Sequence, residues 1–277
     1  MIIWISSYPK SGNTYLRSFL SAYYFSRDGE FNFELLNNIN QFPEKTFFGK
    51  KINSIEEATK NYLIAQKQIY NNKKVKFLKT HSILGIFKGY PFTLPEYTLG
   101  ALYIVRDPRN VLISLMNHYS LTEEKALEFI IDENRDIHRD DNDYSSYAIL
   151  SNWSKHYKSW SDAKKYRKLI IKYEELKVTK YETFRDIIVF TNTLLNLTER
   201  VDKKKLEKAI ETTEFNILKQ KESEYGFHEA AKDKKGNRKT FFNKGFNNNW
   251  ENLISENAVK KIEEKFYNEM KILGYLK

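Results

Sequence analysis

Four predicted strands in this sequence end at, or shortly before, side chains that can bind an anion or accept a proton. These pairs are residues 2–5 with Lys10, residues 75–81 with Lys79 and His81, residues 101–105 with Arg106, and residues 169–173 with Tyr173. Short β-branched runs of this kind are typical of buried parallel strands. Ligands of open α/β sheets bind at the carboxyl ends of such strands, so we expect these side chains to surround one site.

The segment after the first run has the composition of a loop that binds phosphate or sulfate. Residues 6–12 combine serines with Pro9, Lys10 and Gly12, and an amphipathic run follows at residues 13–20. Backbone N–H groups, the positive end of a helix dipole and the Lys10 ammonium would then converge on one anion. No lysine follows Gly12, so the loop is not a Walker A sequence, and an ordinary strand-to-helix turn with a surface lysine is the alternative.

The composition sets the class of protein. A chain of 277 residues favours one large domain over residues 1–277. The net charge of +10 suits a polyanionic partner but does not choose among nucleic acid, an anionic membrane and a charged nucleotide.

The absence of cysteine excludes disulfides, thiolate zinc sites and a cysteine nucleophile, and it fits a cytoplasmic protein. Lys10 and Arg17 interrupt the N-terminal segment, so no secretory signal is expected, and no transmembrane span is expected either.

The apolar runs alternate with helical patterns. This alternation predicts an α/β fold with a doubly wound parallel sheet flanked by helices. The first predicted helix begins at Asn13, and the others cover residues 55–70, 110–119, 146–165, 183–195, 203–212 and 255–273. Residues 27–56 are expected to be rich in loops, and residues 132–143 are expected to be a mobile surface segment.

The sequence Pro-Lys-Ser-Gly-Asn-Thr-Tyr-Leu at residues 9–16 resembles the 5′-phosphosulfate loop of the cytosolic-type sulfotransferases. Enzymes of that family use 3′-phosphoadenosine 5′-phosphosulfate (PAPS) as the sulfuryl donor and release adenosine 3′,5′-bisphosphate (PAP). The resemblance extends in order from residue 2 to about residue 275. It implies a P-loop-containing fold and a donor loop made of Lys10, Ser11, Gly12, Asn13, Thr14 and Tyr15.

Two strand-end segments resemble the catalytic and 3′-phosphate sites of the same family. Lys-Thr-His at residues 79–81 is similar to the segment that supplies the catalytic base, which implies His81 in that role. A strand-end histidine bonded only to the backbone is the alternative. The stretch at residues 105–114 resembles the 3′-phosphate site, with Arg106 and Ser114 as ligands. A guanidinium can donate two hydrogen bonds to the oxygens of one phosphate, and a hydroxyl adds a neutral donor.

Three further segments resemble the nucleotide-binding parts of the family. They imply Tyr173 as a nucleotide contact, Thr213 and Phe215 beside the adenine, and Lys244 and Gly245 in a loop over the 3′-phosphate. Phe215 would stack on the base.

The last of these segments departs from the family pattern. Asn243 stands where arginine is usual, Asn248 replaces the second glycine, and Glu251 replaces lysine. We therefore expect either weaker donor binding or a phosphate contact moved to Arg238 or Lys239.

The resemblance implies metal-free, in-line transfer of a sulfuryl group from PAPS to a hydroxyl acceptor. His81 would take the hydroxyl proton, Lys10 would stabilise the leaving group, and Lys79 would add a second positive charge. No metal is expected, because the five histidines are scattered and no carboxylates have ligand spacing. The acceptor is expected to be a small molecule, a carbohydrate or a lipid, bound by loops at residues 27–50, 82–98 and 120–145.

Three alternatives stay open. A magnesium-dependent P-loop kinase would share the fold, although the Gly-Lys-Ser/Thr ending of its loop is missing. A basic nucleic-acid-binding protein would fit the net charge, but the lysines are spread along the chain rather than gathered in a stripe, so nucleic acid is not the expected partner. A nucleotide-binding protein without catalysis would fit the altered C-terminal loop. The sequence does not specify the acceptor or the oligomeric state.

Overall fold

The computed structural model describes residues 1–138, 142–230, 236, 238–243 and 245–276. The strands formed by these residues are β1 (Ile2–Ser7), β2 (Ile39–Gln41), β3 (Lys76–Thr80), β4 (Ile86–Phe87), β5 (Tyr90–Pro91), β6 (Thr98–Val105), β7 (Asp136–Ile137), β8 (Ala148–Ile149) and β9 (Lys168–Lys172). Five of them form a parallel sheet in the order β2-β3-β1-β6-β9. Strand β1 therefore lies in the middle of the sheet.

Strand β1 is apolar along most of its length because both of its faces are covered. Ile2 and Trp4 belong to one hydrophobic cluster, whereas Ile3 and Ile5 belong to another. Alternate side chains of a strand face opposite sides of a sheet, so helices must pack on both sides. The continuous apolar runs in the sequence are explained by this double burial.

Helices cover both faces of the sheet. They are α1 (Asn13–Phe25), α2 (Ile55–Asn71), α3 (Pro108–Tyr119), α4 (Glu123–Ile131), α5 (Trp153–Ser161), α6 (Glu175–Val178), α7 (Lys180–Leu194), α8 (Lys203–Thr212), α9 (Phe215–Tyr225), α10 (Glu256–Lys265) and α11 (Tyr267–Ile272). Helices α2, α3, α4, α5, α10 and α11 contribute to the cluster on the Trp4 face, and α1, α7, α8 and α9 contribute to the opposite one. The predicted doubly wound parallel sheet flanked by helices is confirmed.

Some element boundaries differ from those predicted. Helix α5 is shorter than residues 146–165, because the Asn152 side chain caps it by accepting from the Lys155 N–H and the preceding β8 pairs with β7. The helix predicted at residues 255–273 is interrupted at Phe266, whose backbone angles are not helical.

Several elements were not predicted, among them β2 and α9, and one prediction is tested only in part. Strand β2 lies in the segment expected to be rich in loops, and α9 had not been recognised as a helix. Of the segment at residues 132–143, which was expected to be mobile, residues 139–141 lie outside the described part of the chain. Strand β7 lies within the same segment.

Candidate active site

The carboxyl ends of the central strands open into a cavity of about 910 Å³. Of the side chains and glycines predicted for the site, those that line it are Lys10, Gly12, Asn13, Thr14, Tyr15, Lys79, His81, Arg106, Ser114, Tyr173, Phe215 and Gly245. Ser11 and Thr213 are fully buried beside the cavity wall and do not line it. Lys244 lies outside the described residues. The parallel sheet thus brings together residues that are far apart in the sequence.

The loop between β1 and α1 is held in a conformation that only glycine adopts easily. Gly12 precedes the first turn of α1 and has a φ of 100°. A Cβ atom there would lie 2.3 Å from Cδ2 of Tyr173. Asn13 donates from Nδ2 to the Ile5 carbonyl oxygen at 3.1 Å and to Ser7 Oγ at 3.2 Å, which ties the loop to β1. The first N–H groups of a helix have no acceptor within the helix, so this turn offers donors to an anion.

Lys10 is a half-buried basic side chain that lines the cavity. Its Nζ lies 4.4 Å from the centroid of the Phe241 ring. Burial lowers the pKa of Lys10 to about 7, and the neighbouring charges of Lys79 and Arg106 act in the same direction. A bound anion would oppose all three effects and favour the charged ammonium.

His81 is oriented by the backbone of β1. Its Nδ1 lies 2.8 Å from the carbonyl oxygen of Ser7. A carbonyl oxygen can only accept, so Nδ1 carries the hydrogen of the neutral ring and Nε2 keeps its lone pair. Burial holds the pKa of His81 well below its usual value, and Lys79 lowers it further. His81 is therefore neutral at pH 7, with Nε2 able to accept a proton.

Glu229 is a charged member of the site that the sequence did not reveal. Its Oε2 accepts from Lys79 Nζ at 3.2 Å, and its Oε1 accepts from Arg17 Nη1 at 2.7 Å. Burial raises the pKa of Glu229, but Lys79 and Arg17 outweigh that effect and hold it far below the usual value. All three side chains line the cavity. The one signal for this cluster in the sequence is the charge of Arg17 within the otherwise uncharged helix α1.

Arg106 lines the cavity and is held there by a carbonyl oxygen and an aromatic ring. Its Nη2 donates to the Gly245 carbonyl oxygen at 3.0 Å, and its guanidinium lies 4.3 Å from the centroid of the Tyr173 ring. Its Nη1 is 3.4 Å from Ser114 Oγ. Asn248 donates to the same Ser114 oxygen at 3.2 Å. The asparagine that replaces a glycine of the family pattern therefore joins the predicted 3′-phosphate ligands.

The two residues predicted to border the adenine are placed differently. The Phe215 ring packs against Gly245, where an added Cβ would lie 2.6 Å from the ring. Thr213 donates from Oγ1 to the Ala209 carbonyl oxygen at 2.6 Å and is fully buried. A threonine at the end of a helix commonly satisfies its hydroxyl in this way, which turns Thr213 away from the cavity.

The two basic residues considered as substitutes for the missing arginine also differ. Lys239 lines the cavity and donates to the Asn117 carbonyl oxygen at 3.0 Å. The Arg238 guanidinium packs beside Gly226 and is not part of the cavity wall. Asn243 lines the cavity. Lys239 is therefore the basic residue of this pair that can reach a ligand.

The Trp250 ring is part of the support behind the site. It packs on the Arg109 guanidinium at 4.0 Å, and that guanidinium also forms an ion pair with Asp107 at 2.6 Å. Tyr275 accepts from Arg109 through its carbonyl oxygen and donates from its hydroxyl to Glu174 at 3.0 Å. These contacts join the ends of β6 and β9 to the C-terminal residues, which fixes the positions of Arg106 and Tyr173.

Within the described residues, no three carboxylate, imidazole or thiol groups gather in a potential metal site. A search of the same residues for an apolar helix of membrane-spanning length also found none.

The family model described as "Sulfotransferase domain" matches residues 2–274. The chain belongs to this family. The sulfotransferase is 21% identical over 277 residues to sulfotransferase 1 family member D1 of Mus musculus, covering 97% of the chain and 83% of that relative. The match confirms the predicted family and enzyme class, and the kinase alternative has no support from it.

Solved sulfotransferase-type structures share the fold. A mouse sulfotransferase complexed with PAP superposes with a TM-score of 0.60 at 19% identity, over 98% of this chain and 84% of that one. Retinol dehydratase in complex with retinol and PAP gives a TM-score of 0.60 at 16% identity, over 98% and 81% of the two chains. The same enzyme in complex with androsterone and PAP gives a TM-score of 0.56 at 16% identity, over 98% and 80%.

Proposed function

We propose that the protein transfers a sulfuryl group from PAPS to a hydroxyl group of its acceptor, with His81 as the base. The observation that carries the proposal is the hydrogen bond from His81 Nδ1 to the Ser7 carbonyl oxygen, which leaves Nε2 as the acceptor. Two cations, Lys10 and Lys79, line the same cavity. A neutral base beside positive charge is the combination that transfer to a hydroxyl requires.

Some polar atoms of the proposed donor-binding residues form no hydrogen bond within the described part of the chain. Asn13 Oδ1 and Arg106 Nε, on two residues that line the cavity, are buried without a hydrogen-bond partner in the described part of the chain. Buried polar atoms normally have partners, so unpaired ones at a site suggest a missing ligand. Gly12 and Gly245, which both have positive φ, let the backbone approach that ligand closely.

Each residue then has a defined task in the reaction. When bound, PAPS supplies the sulfuryl group, and PAP departs. His81 Nε2 takes the proton of the acceptor hydroxyl. Lys10 offsets the negative charge that develops at the donor phosphate, and Lys79 offsets the charge on the oxygens of the transferred group. Arg106, Ser114 and Asn248 hold the 3′-phosphate, and Tyr173 and Phe215 border the nucleotide. Lys244 remains a proposed phosphate ligand from the family resemblance.

A calorimetric titration with PAP and with ATP, both without magnesium and at fixed salt, tests the donor site. We expect PAP to bind tightly through its 3′-phosphate and ATP to bind weakly. Arg106→Ala should abolish the difference, whereas Arg185→Ala, which changes an exposed arginine paired with Asp186, should leave it intact. Equal, weak binding of the two nucleotides would contradict the proposed donor.

The role of His81 is tested by the rate of PAP release from PAPS. Removing a general base commonly costs on the order of 10²- to 10⁴-fold in rate. His81→Ala should lose turnover to that extent and still bind PAP with unchanged affinity, because among the described residues the hydrogen bonds of the ring go to Ser7 and not to Arg106, Ser114 or Asn248. An active His81→Ala enzyme would refute the assignment of the base.

A further inference from the structure

We propose that the acceptor of this sulfotransferase is a carbohydrate, bound through several of its hydroxyl groups. The inference rests on the proposed function and concerns the part of the cavity that the donor residues do not occupy. Its lining includes apolar side chains and a set of amide, imidazole and carboxylate side chains that can pair with hydroxyl groups. The members of this set are Asn37, Asn40, Gln41, Asn117, His118 and Glu229.

Strand β2 places amide side chains beside the catalytic lysine. It runs parallel to β3, and Gln41 is the Cα partner of Lys79 in the register. Parallel neighbours lie about 4.8 Å apart, so Gln41 is next to the strand end that carries Lys79 and His81. Asn40 precedes it on the same edge strand, and both side chains line the cavity. The unpredicted edge strand therefore lines the cavity beside the strand end that carries the proposed base.

The amides on this wall are not used by the protein itself. Across the described residues, the side chains of Asn37, Asn40 and Gln41 make no hydrogen bond, although Asn38 beside them donates to the Leu35 carbonyl oxygen at 3.0 Å. Each free amide offers two N–H donors and a carbonyl acceptor. A sugar hydroxyl both donates and accepts, so one amide can pair with two adjacent hydroxyls.

Three further lining residues, Asn117, His118 and Glu229, can also accept hydrogen bonds from hydroxyl groups, and the first two can donate as well. Asn117 and His118 lie in the last turn of α3, and both line the cavity. Burial lowers the pKa of His118 to about 3, with Lys10 and Lys79 acting in the same direction, so its imidazole is neutral. A neutral imidazole offers one donor and one acceptor. Glu229 adds carboxylate oxygens that can accept from hydroxyls in addition to their two ion pairs.

An apolar alcohol would leave these polar side chains without partners. A sterol or a retinoid has one hydroxyl, and its hydrocarbon frame would cover the amides without pairing them. Burying unpaired polar groups opposes binding. Retinol and androsterone occupy the retinol dehydratase structures, which share this fold. The fold can therefore hold an apolar alcohol, and the preference for a carbohydrate proposed here depends on the side chains that line the cavity.

The experiment measures PAP release from PAPS with three acceptor panels at matched concentrations. The panels are neutral saccharides (lactose, maltose, cellobiose, N-acetylglucosamine and N-acetyllactosamine), phenols (4-nitrophenol and 2-naphthol), and apolar alcohols (androsterone and retinol). We expect turnover with at least one saccharide and a higher kcat/KM there than for any member of the other panels. Turnover of no saccharide would overturn the inference, and turnover of only a phenol or a sterol would overturn it while upholding the proposed function.

Matched variants connect the turnover to the amides. The loss of one hydrogen bond of about 1.4 kcal/mol corresponds to about tenfold in affinity. Asn40→Ala and Gln41→Ala should each raise the KM for the saccharide about tenfold without changing the dissociation constant for PAP, and Asn38→Ala should change neither. An unchanged KM in both cavity variants would overturn the inference. Failure of the wild-type protein to bind PAP would refute the proposed function, and the inference would fall with it.

Discussion

The imidazole of His156 supports the backbone of His81 from inside the core. Its Nε2 donates to the His81 carbonyl oxygen at 2.9 Å, and its Nδ1 accepts from the Tyr103 hydroxyl at 2.8 Å. His156 is fully buried, and burial lowers its pKa to about 4, which keeps the ring neutral. His81 is thus held at two points, by Ser7 through its ring and by His156 through its carbonyl group.

Replacing His156 should therefore reduce catalysis without weakening donor binding. We expect His156→Phe to lower kcat by about 10- to 100-fold, by analogy with other residues that orient a catalytic imidazole. His156→Gln, which retains a donor, should restore part of the rate. The measurements are kcat and the dissociation constant for PAP. A parallel loss of both would indicate a general loss of structure instead of a positioning role.

Donor affinity should fall as the pH rises through 7. A lysine is charged below its pKa, and that of Lys10 is lowered to about 7 in the ligand-free protein, so free Lys10 loses its charge above that pH. Binding of PAP must then take up a proton, which weakens it by up to about tenfold per pH unit. Calorimetry between pH 6 and 8.5 measures this slope. Lys10→Arg keeps its charge throughout and serves as the comparison, since phosphate ionisation affects both proteins equally. Identical slopes would contradict the prediction.

Glu229→Gln should destabilise the ligand-free protein. The change removes the carboxylate that pairs with Lys79 and Arg17, which are both buried, and breaking a buried ion pair commonly costs about 3 kcal/mol in the free energy of unfolding. The folded-state pKa of Glu229 is depressed, so its contribution is complete above the unfolded-state pKa of about 4.3 and is lost as the pH falls through the folded-state value. Urea unfolding at pH 7 and at pH 3 should show the difference shrinking in acid.

The exposed Glu224, which bonds Gln220 on the surface of α9, provides the control. Glu224→Gln should leave the free energy of unfolding within about 0.5 kcal/mol of the wild-type value. If Glu229→Gln had no larger effect than this control at pH 7, the ion-pair cluster would not contribute to stability.

Gly12→Ala should distort the donor loop. An alanine there combines a φ of 100° with a Cβ 2.3 Å from the Tyr173 ring, which we expect to cost about 3 kcal/mol in stability and at least tenfold in PAP affinity. Gly49→Ala separates the two causes, because Gly49 has a φ of 65° and nothing within 4 Å of an added Cβ. It should cost about 1 kcal/mol and leave PAP binding unchanged. Equal effects of the two substitutions would show that the contact with Tyr173 is unimportant.

The sequence predicted the cavity because the geometry of a parallel sheet leaves few choices. Once residues 2–5, 101–105 and 169–173 were recognised as buried strands, the positions of Lys10, Arg106 and Tyr173 at one edge followed. Strand β2 was missed because it is three residues long and has one buried side chain, so its pattern is too short to recognise.

Contacts that cross the chain could not be predicted in the same way. Glu229 is 212 residues from Arg17 and 150 from Lys79 in sequence, and no local pattern relates them. The direction of Thr213 was also inaccessible, because a threonine hydroxyl at a helix end can bond either to its own helix or to a ligand. Such features depend on how the helices pack, which the local sequence does not encode.

The ion pairs of Glu229 should also affect which anions bind to Lys79 and Arg17. A sulfate or phosphate ion from the surroundings must displace this carboxylate from Lys79 and Arg17 before it can use their charge. The proposed nucleotide donor would also contact Arg106 and Tyr173, and this second contact would offset the free energy of displacing Glu229. We therefore expect inorganic sulfate and phosphate to bind weakly at Lys79 and Arg17, because Glu229 already pairs with both.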